Sequence, residues 1–387
     1  SYLGLIEARV DLNEGRPREA LARLDEVLPT WPNNAGARYY AARAAEQLGD
    51  FSRAIEEYRQ SIRSAPEQTE AALRLAKLYL GVGAMSDAWS SGAQYYRAHP
   101  DDPEGVRVLL RAASPTDNAG LQNLFRTLRM TPLWPVAIAT RAETVAERRG
   151  PEAALELIGN VEGLDLTQAR NAEVLREKVR QLLALDRVDE AQTAVDAALA
   201  AAPESAALLE IEGLVAEEGA DDPTAARTAY EKAVAKDPGQ ARALEGLARL
   251  AEARGDVDDA LELFDRATAA DPMSASAARR AAALARRSDR KEDALRRYRA
   301  LIVEHPWDAD AARNLAEMAL EAGRPDDSAL ELAERAVLFR GGAEAQEVLV
   351  RMHRARGETE RADEIARAIE AGEPIPPRSI RSPGQSG

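Results

Sequence analysis

The sequence predicts an all-α array of stacked helical hairpins, on three observations. Alanine returns every 34 residues, at Ala20, Ala54 and Ala88 and again at Ala260 and Ala294. Twelve residues after each comes a proline: Pro32, Pro66, Pro100, Pro272 and Pro306. Hydrophobic residues make up 45% of the chain and aromatics only 4%, with alanine the dominant apolar type. Fixed-period self-similarity marks a repeat architecture. Alanine has the highest helix propensity and lets helices approach closely. Each repeat then buries its core against its neighbours rather than around one centre.

The unit over residues 241–274 shows the grammar. Its first helix places Leu244, Leu247, Ala248 and Ala251 on one face, at spacings of three and four. Gly255 sits where the chain must reverse, and Asp256 is placed to cap the next helix. The second helix carries Ala260, Leu261, Phe264 and Ala267. Pro272 ends it, because proline lacks an amide hydrogen and clashes with the preceding turn. Neither helix can bury its stripe alone.

The same grammar holds elsewhere. Ala8, Gly15, Ala20, Leu24 and Pro32 form the first unit, and Ala42, Gly49, Ala54, Tyr58 and Pro66 the second. In the third, Ala76, Gly83, Ala88 and Pro100 remain, while Gly92 replaces the bulky residue. Further units follow at Ala191 and Pro203, at Ala226, Tyr230 and Pro238, and at Ala282, Ala294, Tyr298 and Pro306. Two looser ones close the series: Ala316, Gly323 and Ala329, then Gly357, Ala362 and Pro374.

This skeleton resembles the tetratricopeptide repeat family, from residue 1 to about 376. The resemblance implies a right-handed superhelical solenoid of about eleven helix-turn-helix repeats, with first helices lining a concave groove. It departs from the family in one respect: the tryptophan of the first helix is replaced throughout by Leu or Ala.

The organisation reads as N-terminal units over 1–102, degenerate helical units over 103–170, C-terminal units over 171–376 and a Pro/Gly-rich tail over 377–387. In the degenerate stretch, the Ser114–Asn118 loop and the Thr131–Pro135 run replace the usual signals. Either two drifted repeats still stack there, or a kink divides the array and exposes Trp134. The tail holds no helical period and reads as disordered.

Chemistry leaves little trace. His99 and His305 each precede a repeat-ending proline, so their recurrence is structural. Cysteine is absent, which excludes thiolate metal sites and disulfides. No nucleophile elbow, HExxH or phosphate loop appears. The chain is therefore expected to be non-catalytic and to need no cofactor. A net charge of −15 opposes nucleic-acid binding, which needs a basic footprint. No apolar run is long enough to insert in a membrane.

The expected partner is another protein, held in the groove. A basic residue recurs at one first-helix position, at Arg9, Arg43 and Lys77 and later at Arg180, Arg249 and Arg351. Tyr39 and Tyr40 stand one turn before Arg43. A second basic cluster surrounds Arg280 and Arg287, and Arg313 extends it. These residues point to an acidic segment or surface as the ligand, against the plainer reading of solvated helix faces. The carboxylate clamp of chaperone-binding family members is missing, since Leu5 and Arg9, then Tyr39 and Arg43, occupy its places.

An arginine- and alanine-rich composition with few lysines, and a first residue other than methionine, lead to the expectation of a bacterial cell-envelope assembly. The alternatives are a cytoplasmic adaptor and the non-catalytic arm of an enzyme complex such as a glycosyltransferase. Oligomeric state has no signature here. One prediction concerns the seam: Ala54→Leu or Ala260→Leu should overpack it and cost about 1–3 kcal/mol, read as a lowered denaturation midpoint.

Overall fold

The computed structural model describes residues 2–113 and 118–375. The Pro/Gly tail over 377–387 and most of the Ser114–Asn118 loop lie outside the described residues. Contacts divide the chain into two units, 1–297 and 298–387, with the division inside one helix. The described residues hold 22 α-helices in successive pairs, so the predicted all-α repeat array of about eleven helical pairs is what the chain forms.

In the larger unit the pairs are α1 (Tyr2–Asn13) with α2 (Pro17–Val27), α3 (Ala35–Leu48) with α4 (Phe51–Ser64), and α5 (Ala71–Val82) with α6 (Met85–Ala98). Next come α7 (Pro103–Ala112) and α8 (Asn118–Leu128), α9 (Trp134–Arg149) and α10 (Pro151–Gly159), then α11 (Ala172–Ala184) and α12 (Val188–Ala201). The series continues with α13 (Ala206–Leu214) and α14 (Pro223–Lys236), α15 (Ala241–Arg254) and α16 (Val257–Ala270), and α17 (Ser276–Arg287). The division falls within α18 (Lys291–Glu304). The smaller unit contains α19 (Ala309–Glu321), α20 (Asp327–Leu338), α21 (Gly342–Ala355) and α22 (Thr359–Ala371). Helix packing is confined to a pair and its sequence neighbours, as a linear stack requires.

The periodic alanines occupy the crossings. Ala20, Ala54, Ala88, Ala154, Ala191, Ala226 and Ala260 are all fully buried. Turn chemistry follows the glycines: Gly49, Gly83 and Gly255 end α3, α5 and α15 in the left-handed region, at φ of 78°, 80° and 83°. Asn34, Asp50 and Asp222 accept backbone N–H groups at the starts of α3, α4 and α14. Asp256 does not cap α16, contrary to expectation; its carboxylate instead accepts from Arg254 Nε at 3.0 Å.

In the degenerate stretch α9 and α10 pack as a hairpin, while α7 lies against α9. Val106, Leu109 and Leu110 of α7 share a core with Leu121, Leu124 and Leu128 of α8. Trp134 is half-buried, edge-on to Phe125 with ring centroids 5.7 Å apart, and contributes to the clusters on either side of it. Gly92 of α6 makes room for this join: a Cβ there would lie 3.1 Å from Val108 and 3.5 Å from Leu109.

The repeat from Ala191 to Ala226 runs a residue long, at 35 residues. The extra residue is absorbed by a π-turn, Val215–Gly219, that continues α13. Just beyond it Asp221 takes φ of 51°. Beneath this segment the Tyr230 ring of α14 is clasped between two glycines. A Cβ on Gly213 or on Gly246 would lie 2.5 Å from that ring.

In the smaller unit, Ala316 of α19, Leu330 and Ala333 of α20, Val348 and Met352 of α21, and Ile365 of α22 build one core. The buried His353 sets Nδ1 2.6 Å from Glu358, bracing the turn between α21 and α22.

The glycine clasp yields a prediction. Gly246→Ala drives a methyl into the Tyr230 ring and should destabilise by about 1–3 kcal/mol, despite alanine's better helix propensity. Thermal denaturation of the variant beside Gly159→Ala, whose Cβ would meet no neighbouring atom, checks it.

Candidate partner-binding wall

In the larger unit the first helices of successive pairs stand side by side, α1 against α3, α5 against α7, α7 against α9, and α9 against α11. The wall they form carries the basic residues named from sequence. It also carries carboxylates that the sequence reading passed over, and the two are interleaved.

Each rung joins neighbouring first helices. Arg74 of α5 reaches the fully buried Glu46 of α3 at 2.8 Å. Lys77 of α5 meets Glu104 of α7 at 2.8 Å. Arg111 of α7 pairs with Glu143 of α9 at 3.2 Å, and Arg176 of α11 with Glu210 of α13 at 3.2 Å. Arg249 of α15 grips both oxygens of Glu217 in the π-turn, at 2.9 and 2.6 Å. Arg280 and Arg287 of α17 pair with Glu245 and Glu252 of α15, the first at 3.4 Å. In the smaller unit Arg313 of α19 repeats the pattern with Glu344 of α21 at 3.2 Å.

Two rungs also fasten the core. Tyr58 Oη lies 3.1 Å from Arg74 Nε. Tyr230 Oη donates to Glu217 at 2.7 Å. Each couples a buried ring of a second helix to an ion pair between first helices. Burial pushes the Tyr58 phenol well above its usual range. It does the same to Tyr230, where the Arg249 charge opposes the rise.

The named basic residues therefore fall into three groups. Lys77, Arg249 and Arg313 are largely buried in their ion pairs, and Arg43 lies with Nε 3.8 Å from Glu46. Arg180, Arg280 and Arg287 are respectively 44%, 50% and 62% exposed, each tied to one carboxylate. Arg9 is exposed and makes no ion pair among the described residues. Tyr39 and Tyr40 stand edge-on with centroids 5.3 Å apart, and burial raises the Tyr39 phenol.

Sequence reasoning missed the acidic half of this wall and several of its cations, Arg74, Arg107, Arg111, Arg176 and Arg242. An acid and a base about one repeat apart would have revealed most rungs. Glu173 is different: Arg242 holds it from α15 at 3.2 Å through both oxygens, and Arg107 approaches from α7 at 3.9 Å. Both arms pass over an intervening first helix. Side chains two repeats apart meet only on the inner side of a curve, so the wall is locally concave here. Arg141 of α9 was also missed. Half-buried and without a carboxylate partner, it has its pKa lowered by burial and by Arg148 and Arg149.

No group of three or more metal-ligating side chains is gathered among the described residues, and no described helix is long and apolar enough to cross a membrane. The wall can offer charge-assisted hydrogen bonds to a polypeptide.

The ladder sets a pH dependence. Burial alone would raise Glu104, Glu173 and Glu217, but Lys77, Arg242 and Arg249 outweigh it and hold all three below the ordinary 4.5. A depressed carboxylate contributes stability that is present above its unfolded value and lost as pH falls through the folded one. The melting temperature should thus be flat near neutrality and fall progressively below about pH 4.5. Arg249→Met should lower stability by about 3 kcal/mol at neutral pH, and Arg249→Met with Glu217→Gln should recover part of it. Melting curves across pH check both.

The tetratricopeptide repeat profile matches residues 7–68, 41–103, 216–275 and 279–345, together more than half of the chain. No curated protein sequence matches it. Among solved structures, yeast Tom70 is 14% identical, with 98% of this chain and 85% of that one covered at a TM-score of 0.44. Cut9, in the APC/C hetero-tetramer Cut9–Hcn1, is 12% identical over 90% of this chain and 75% of that one, at 0.44. The MamA protein is 20% identical over 45% of this chain and all of its own, at 0.38. With its repeats, turns and hairpin stack in place, this chain belongs to the tetratricopeptide repeat family.

Proposed function

We propose that this chain is a non-catalytic scaffold that holds an acidic segment of a partner protein along its first-helix wall. The observation that carries the reading is the set of exposed arginines on that wall. Arg180, Arg280 and Arg287 each spend part of a five-donor guanidinium on one carboxylate, and Arg9 spends none. A second carboxylate can add to such a group without breaking the first pair. Lys77 and Arg249 serve the stack itself and are not part of the docking set.

Specificity on such a surface comes from charge arranged over several repeats, and so does the encounter rate. The protein as a whole carries −15, so long-range forces oppose an acidic ligand. Capture must then depend on short-range, geometrically matched pairs, and binding should weaken only modestly with salt.

The setting we favour is a bacterial cell-envelope assembly, such as a secretion, pilus or polysaccharide-export system, by analogy with repeat scaffolds of that kind. Cell fractionation with a tagged chain separates it from the cytoplasmic-adaptor alternative.

The binding test combines affinity capture with mass spectrometry, followed by titration of the purified partner. Arg9→Glu, Arg180→Glu, Arg280→Glu and Arg287→Glu together should reduce affinity about a hundredfold while the helical signal of circular dichroism stays unchanged. Undiminished affinity would remove the acidic-segment reading, and turnover of a substrate by the purified chain would remove the scaffold.

A further inference from the structure

Of the carboxylates on the wall, Glu173 is held in a way the others are not. It stands at the start of α11, yet its arginines come from α7 on one side and α15 on the other. The clasp thus spans five successive first helices and closes over the concave side. The rungs between adjacent helices already fix the register of the stack, whereas each of these two links passes over one first helix. All three groups keep solvent access, with 35% of the Glu173 side chain exposed, 27% of Arg107 and 41% of Arg242.

The surroundings favour a carboxylate over any other occupant. Lys77, Arg107, Arg176 and Arg242 contribute four cations, against Glu104, Glu173, Glu210 and the Asp271 that also acts on Arg242. Without Glu173 the cluster would hold an excess of one positive charge in a locally concave site. Arg107 stays oriented by Glu104 at 3.0 Å, so one side of the clasp persists when Glu173 leaves. Arg242 presents two parallel N–H groups, the geometry that matches a carboxylate.

We infer that Arg107 and Arg242 form a carboxylate-binding clasp in the concave wall, which Glu173 fills until an acidic side chain of a partner segment replaces it. The inference rests on the reading that an acidic partner lies along this wall, and it names the place where one of its carboxylates seats. Exchange conserves the ion pairs: the incoming carboxylate takes both arginines, and Glu173 swings into water. The internal carboxylate therefore lowers apparent affinity by the fraction of time it occupies the clasp.

The experiment uses the full chain and a fluorescein-labelled hexaglutamate peptide, followed by fluorescence anisotropy. Glu173→Gln keeps the side chain's size but gives up its charge, and should bind the peptide about fivefold more tightly than the unaltered chain. Adding Arg107→Ala and Arg242→Ala to Glu173→Gln should abolish that gain. Unchanged or weaker binding by Glu173→Gln, or a gain that survives loss of both arginines, overturns the clasp. A purely structural Glu173 would lower the melting temperature and leave the affinity alone. Should Glu173→Gln fail to fold, Glu173→Asp serves instead, since its shortened reach should tighten binding about twofold, and no tightening overturns the inference equally. Failure here leaves the partner-capture test on Arg9, Arg180, Arg280 and Arg287 untouched, so the two readings fall separately.

Discussion

The closest approach of helices at their alanine crossings is the constraint on which the rest depends. Ala20, Ala54, Ala88, Ala191, Ala226 and Ala260 are wholly buried, one to a hairpin, and a methyl is as much as those crossings admit. Where the helices stand this close, a large ring fills the remaining space in several hairpins. Tyr58, Tyr230 and Phe264 are correspondingly among the largest fully buried side chains. Around Tyr230 even alanine is too big, and Gly213 and Gly246 take its place. The short separation that follows is also what brings the side chains of one first helix within reach of the next.

That reach explains how the chain spends its charge. Ion pairs between helices contribute little net stability once desolvation is counted, but removing one member of a buried pair is costly. Their physical effect is to discriminate between stackings: Glu46 with Arg74, or Glu217 with Arg249, meet only when adjacent hairpins sit in one register. Arginine suits the task because its planar fork accepts a carboxylate through two bonds and keeps donors to spare. Structural and recognition roles can then share one wall, with the buried guanidinium groups fixing the stack and the exposed ones left to a ligand.

The π-turn shows how repeats tolerate irregularity. An extra residue between Ala191 and Ala226 would shift every later hairpin by about 100° around the helix axis if the α-helix simply continued. Looping it into Val215–Gly219 keeps the stripes aligned on both sides. The same turn carries Glu217, held by Tyr230 of its own hairpin and by Arg249 of the next. The insertion is therefore locked by the neighbours it would otherwise have displaced.

Much of the fold was legible because repetition converts a tertiary question into a local one. A period of 34, a glycine at many reversals and a proline at many repeat ends fix helices and hairpins from neighbouring residues alone. Asp256 marks the limit of local rules: a sound capping residue by position, it was claimed by Arg254. The wall was half legible. Some of its arginines stood out in an acidic chain, whereas the others and the carboxylates vanished among many alike, because charge partners one repeat away leave no local pattern. Sequence by itself determined that helical pairs would stack in file and which alanines and rings would meet. Only the tertiary structure decided which cations are spent within the stack and that Glu173 would meet arginines two repeats away on either side, because curvature, not chain order, brings those groups together.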